Sequence, residues 1–173
     1  MRLFYTFLLL LISSLFAYSQ DNAQLNVTLE QIHDQDQNVR LALGKPEMES
    51  KQDSLLSKMK SIDAENQKYI GNLLDSIGWP SGLSFNANMA IFYVIQHGGT
   101  EYMNKYAGYV EDAYNKNFLP IGAYAVFVDR LRMHSGKPQV YGSQIIVVKD
   151  ILYMWPIEDV ENLEVRRKEA AMS

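Results

Sequence analysis

His97 is the side chain whose type and position best suit chemistry. It closes Asn86 to His97, a run that is apolar at almost every position, and Gly98-Gly99 follows as a helix stop. At the C-terminal end of a central helix, the dipole favours a protonated imidazole, a useful poise for a general acid/base. Orienting that ring takes a carboxylate, and Asp36, Asp63 and Asp129 are the candidates. Asp36 and Asn66 each stand at a step of a helical stripe where an apolar residue is expected, with Arg40 and Asp63 one turn away. A buried charge without a partner is costly, so such residues are paired or face a polar pocket. Arg40, Asn66, Gln96, Arg130, Gln139, Tyr141, Gln144 and Arg166 are the expected ligand contacts, the arginines suiting an anionic group.

Other chemistries find less support. The histidines His33, His97 and His134 lie far apart and cysteine is absent, so no metal site is expected. No GxSxG, P-loop or HExxH pattern occurs, and no cofactor is expected. The Asn26-Val27-Thr28 triplet is a sequon of a kind that chance often produces.

These residues need helices to carry them. Leu25, Leu29, Ile32, Val39 and Leu43 recur at helical spacing, until Gly44 and Pro46 end the pattern. A second helix is expected from about Gln52 to Ile77, burying Leu55, Met59, Ile62, Tyr69, Leu73 and Ile77. Gly78-Trp79-Pro80-Ser81-Gly82 breaks it. Asn86 to His97 is apolar all round and therefore central. Glu101 to Lys116 follows, with Tyr102, Tyr106, Tyr109 and Ala113 on its inner face, then a fifth helix from Pro120 through Tyr124, Val128 and Leu131 to Gly136. The period then changes. Residues 139–155 read as a β-hairpin around Lys149-Asp150, with Gln139, Tyr141 and Ser143 alternating onto one strand face. The expected packing of this hairpin across the end of the third helix brings Gln139 or Tyr141 towards His97. Asp159 is placed to cap a last helix that is basic at Arg166, Arg167 and Lys168. The expectation is a mainly α (α+β) single domain, a bundle of about five to six helices with one C-terminal β-hairpin.

Composition narrows the function classes. The chain has 173 residues, 47% hydrophobic and 21% charged, which is ordinary for a globular protein and excludes a disordered or collagen-like chain. Net charge is −4 with no basic block, so a nucleic-acid partner is not expected. Arg2, the apolar run Leu3 to Phe16 and Ala17-Tyr18-Ser19 read as a signal peptide over 1–19, cut before Gln20. The run is too short for a spanning helix, so the protein is expected to be exported, periplasmic or extracellular, with no membrane partner after cleavage. Without cysteine in an oxidising compartment, stability must come from the core of residues 20–173.

The motifs also carry a resemblance. Asp36-Gln37 with Arg40, Asp63 with Asn66, Gly78-Trp79-Pro80, Gln96-His97, Asp129-Arg130, the stretch Gly136 to Gln144, and Pro156 to Asp159 with Arg166-Arg167 follow one another in order. In this series the chain resembles a bacterial family of unknown function, the domain-of-unknown-function family numbered 6624. The likeness covers nearly the whole of residues 20–173, and Gln139 to Gln144 is its most specific part. Ser143 stands where threonine is usual, Gly98-Gly99 where Ala-Asp is common, and Val160 where proline is found. The resemblance implies a single folded unit, often exported, and no reaction.

Three readings of the polar residues stay open. They clasp a small polar or anionic ligand, they support a hydrolase or transferase with His97 as acid/base, or they form a structural network with no ligand. Oligomeric state is not legible.

Overall fold

A computed structural model describes the backbone of residues 2–172 and the side chains of residues 22–172. The order is α1 (Arg2–Leu43), α2 (Gln52–Ile77), α3 (Phe85–His97), α4 (Gly99–Asn115), α5 (Ile121–His134), β1 (Ile145–Val148), β2 (Ile151–Met154) and α6 (Leu163–Glu169). Short 3-10 turns lie at Pro46–Lys51 and Val160–Asn162. The fold is mainly α with a small antiparallel hairpin, as the periodicities indicate. The expected leader at 1–19 lies outside the residues whose side chains are described. Among the described residues no helix is long and apolar enough to cross a membrane. The chain forms two compact units, 1–93 and 94–173, divided within α3.

In the N-terminal unit, α1 buries Leu29, Ile32, Asp36 and Val39, following the expected steps. The second helix departs from expectation. It buries Asn66, Ile70, Gly71 and Leu74, while Tyr69 is 40% and Ile77 65% exposed. Four-residue steps advance slightly more than one turn, so the inward face rotates away from Tyr69 and Ile77. Gly78 stops this helix at φ 73°. Ser84 opens α3 as its cap: its hydroxyl accepts from the Ala87 N–H at 3.2 Å and donates to Glu30 Oε1 at 2.6 Å. Trp79 of the Gly-Trp-Pro break donates its indole N–H to Asn88 Oδ1 at 2.8 Å, which ties the turn to the helix it precedes.

In the C-terminal unit, Met103, Tyr106, Val110 and Ala113 form the buried face of α4, not Tyr102 and Tyr109. On α5 the buried residues are Ala125, Phe127 and Asp129 in place of Tyr124, Val128 and Leu131. Tyr102, Tyr109 and Tyr124 each stand one position before a buried residue, Met103, Val110 and Ala125, while Tyr106 is itself buried with its hydroxyl accepting from Lys105 Nζ at 2.8 Å. Tyr114 and Tyr124 stack at 4.4 Å between ring centres. The α3–α4 junction requires glycine: a Cβ on Gly98 would meet the Tyr102 ring at 2.5 Å.

The hairpin is shorter than expected. Ile145 pairs with Met154 and Val148 with Ile151, around a two-residue turn. Lys149 and Asp150 both take left-handed backbone (φ 49° and 61°), the type I′ geometry that Asn-Gly normally supplies. Gln139 makes an isolated parallel bridge to Ile157 and residues 140–144 are not strand, so Gln139, Tyr141 and Ser143 do not share a strand face. The last helix differs too. Asp159 sits in left-handed backbone and makes no capping bond, and a 3-10 turn precedes α6.

Candidate functional site

The two units hold separate polar clusters. In the N-terminal unit α1 supplies Asp36 and Arg40 from one helical turn, and α2 supplies Asp63. Arg40 Nη1 lies 3.0 Å from Asp36 Oδ1, and Nη2 donates to both Asp63 oxygens at 2.9 and 3.1 Å. One cation thus bridges two carboxylates, the nearly inaccessible Asp36 and the half-buried Asp63. Gln37 donates to Asp36 Oδ2 at 2.8 Å. Tyr93 belongs to the same surroundings: burial first, and then the Asp36 charge, raise its phenol pKa above the ordinary value. His33 packs against the Tyr93 ring and pairs with Asp34. Asn66, one turn beyond Asp63, is different. It is 5% exposed, and its Nδ2 has no hydrogen-bond partner. A groove of about 440 Å³ between α1 and α2 is lined by Asn38, Val39, Lys58, Ile62 and neighbours, and contains none of the candidate residues.

In the C-terminal unit the polar residues of Gln139 to Gln144 organise a loop. Asp129 is fully buried on α5. Its Oδ1 accepts from the N–H groups of Val140 (2.6 Å) and Tyr141 (3.0 Å), and its Oδ2 from the N–H (2.9 Å) and hydroxyl (2.8 Å) of Ser143. Successive N–H groups of a strand point to opposite sides, so a carboxylate collecting both Val140 and Tyr141 is incompatible with the expected strand. Gly142, at φ 70°, turns the chain for Ser143, and a Cβ there would stand 3.4 Å from Ile157. With its lone pairs committed, Asp129 is a clamp for the loop and a poor orienter for His97. Arg132, three residues after Asp129 on α5, bonds the Pro138 carbonyl and Glu158.

Gln139 is likewise fully buried and fully used. Its Nε2 donates to the carbonyls of Gln144 (3.0 Å) and Trp155 (2.7 Å), and its Oε1 accepts from the Gln144 N–H at 2.7 Å. Its backbone bonds Pro156 and Glu158, so one residue closes the base of the hairpin. Arg166 of α6 donates to the carbonyls of Val140, Glu158 and Asp159, and Arg167 to that of Tyr141 at 2.9 Å. These contacts do not require a ligand. Tyr141 is an electrostatic neighbour of Tyr124, whose pKa is raised by burial and then by Glu111, Tyr141 and Tyr114.

A link from this loop to the end of α3 runs through Arg130. Arg130 Nε donates to Gln144 Oε1 at 3.1 Å, and its Nη1 stands 3.5 Å from the Gln96 carbonyl. The Gln96 side chain is 8% exposed, and its Oε1 has no hydrogen-bond partner. Half-buried His97 follows it. Among the described residues no three His, Asp or Glu side chains are grouped so as to hold a metal ion. Chemically, the end of α3 offers a guanidinium, an imidazole and an unused amide acceptor.

Sequence reasoning missed Asn88 and Ser84, and it placed Ser143 on a strand face where the structure has it bonded to Asp129. The two missed residues had readable signals: a polar residue in an apolar helix, and a serine before a helix start. The family model of a family of unknown function, DUF6624, matches residues 23–173. No curated protein and no solved structure matches the chain. The matched span takes in both polar clusters and nearly every described residue, and the chain belongs to this family, DUF6624.

Proposed function

We propose that the protein is exported and binds a small polar or anionic ligand at the C-terminal end of α3, through Gln96, His97 and Arg130. The observation that carries this reading is Gln96 Oε1, a buried acceptor left unpaired in a unit whose other buried polar groups are closely matched. Leaving such an atom unsatisfied costs roughly 1–3 kcal/mol, which an O–H or N–H of a ligand removes. Arg130 supplies positive charge for an anionic group, and its bond to Gln144 fixes its direction in advance. A scaffold role is favoured for Asp129, Gln139 and Arg166, whose bonding capacity is spent mainly on backbone groups, with Ser143 and Asp159 taking the remainder of Asp129 and Arg166.

Melting temperatures in the presence of phosphate, citrate, a monosaccharide or a nucleoside monophosphate test the ligand. At least one should raise the transition of the wild type and not that of Gln96→Leu, since a ligand specific to the folded state stabilises it by mass action. Equal shifts in both proteins overturn the site. Export rests on Arg2, the apolar run and Ala17-Tyr18-Ser19. Protein recovered from the host should have the intact mass of a chain beginning at Gln20; retention of residues 1–19 contradicts export.

A further inference from the structure

The hairpin is the least protected apolar feature of the C-terminal unit. Ile145, Val147, Leu152 and Met154 share one face and are each between 54% and 65% exposed. Val148, Ile151 and Tyr153 on the other face are between 46% and 55% exposed. The sheet has just these two strands, so both edges are unpaired within it. Their phase follows from the Trp155 N–H bond to the Gln144 carbonyl at 3.0 Å. Alternation from that pair turns the peptide groups of Ile145 and Val147 outward on one edge, and those of Leu152 and Met154 outward on the other. Proteins usually guard such edges with lysine, proline or a bulge, and these strands carry none of them.

We propose that the hairpin is a self-association surface, docking on the same hairpin of a second copy of this chain about a two-fold axis. The four half-exposed side chains of one face, Ile145, Val147, Leu152 and Met154, supply roughly half of the ~800 Å² per partner of a standard interface, and the open strand edge beside them adds to it. An antiparallel edge aligned with its own copy is two-fold symmetric, so one patch serves both partners. No charge on either strand repels a copy. Lys149 and Asp150 at the tip carry opposite signs and sit beyond the apolar face. A charged tip and a net charge of −4 disfavour insertion into an anionic bilayer as the alternative cover.

Sedimentation velocity on the full chain, as the cell processes it, tests the proposal. The wild type should sediment as a dimer at tens of micromolar. Val147→Lys with Leu152→Lys, cross-strand partners 64% and 65% exposed, should weaken association at least about tenfold while the helical circular dichroism is unchanged. Lysine at these exposed positions strands no buried group, so the variant retains its fold. A wild type that stays monomeric to hundreds of micromolar overturns the proposal, including one that instead floats with phosphatidylglycerol vesicles. So does a dimer indifferent to the two lysines.

Discussion

The two polar clusters are satisfied by different means. In the N-terminal unit Asp36, Arg40 and Asp63 satisfy one another, side chain to side chain, between two long helices. In the C-terminal unit Asp129, Gln139 and Arg166 spend themselves on backbone N–H and carbonyl groups of a loop and a hairpin base. The first arrangement joins elements that already exist. The second replaces secondary structure where residues 140–144 have none. Each unit also contains one buried amide with an idle atom, Asn66 Nδ2 and Gln96 Oε1. Burial of a polar residue is therefore no guide to its role until its bonds are counted.

The largest expected effect breaks the second arrangement. Asp129→Ala removes the acceptor of three backbone N–H groups and a hydroxyl at a fully buried site, and should cost roughly 3–5 kcal/mol in urea unfolding. A loss below about 1 kcal/mol means that water takes over those donors and the clamp is dispensable. A smaller effect is expected in the N-terminal unit. Asp36→Leu strands Arg40 and Gln37 and should cost roughly 1–3 kcal/mol, less than Asp129→Ala because the half-buried Arg40 keeps Asp63. Asn66→Leu removes an unpartnered Nδ2 and should be near neutral or stabilising, so equal losses at 36 and 66 erase the distinction drawn for that unit.

The smallest effect concerns pH. The raised Tyr93 pKa means that the folded state keeps the phenol proton where the unfolded chain loses it. Stability from this group is intact below the ordinary tyrosine pKa of about 10 and falls as pH rises through the folded value. Denaturant midpoints between about pH 9 and pH 11 should therefore decline less steeply for Tyr93→Phe than for the wild type. Parallel slopes contradict the effect of Asp36 and burial on that ring.

What was legible in the sequence divides along the same line. The helix spans, the breaks at Gly44 and Gly78, and the interruptions at Asp36 and Asn66 follow from a 3.6-residue period, which is a local property. The turn at Lys149-Asp150 was legible from its β-branched flanks alone, because neither residue advertises left-handed backbone. The Gln139 to Gln144 loop was not. Its alternation of polar side chains imitates a strand, while its actual shape is set by Asp129, ten or more residues earlier, an acceptor no periodicity reveals. On α4 and α5 the tyrosines Tyr102, Tyr109 and Tyr124 lie one position before the buried Met103, Val110 and Ala125, so their spacing locates the inner face to within one residue and no closer.

Two buried glutamines of the C-terminal unit test the central claim most directly, through urea unfolding of Gln139→Leu and Gln96→Leu under the same conditions. Gln139 holds three backbone groups through its side chain, so its loss should cost roughly 2–3 kcal/mol. The Gln96 acceptor is idle in the fold, so its replacement should leave unfolding within about 0.5 kcal/mol of the wild type, or stabilise the chain. A loss at Gln96 as large as that at Gln139 would mean that its amide is already spent on the fold, and would contradict the ligand site at the end of α3.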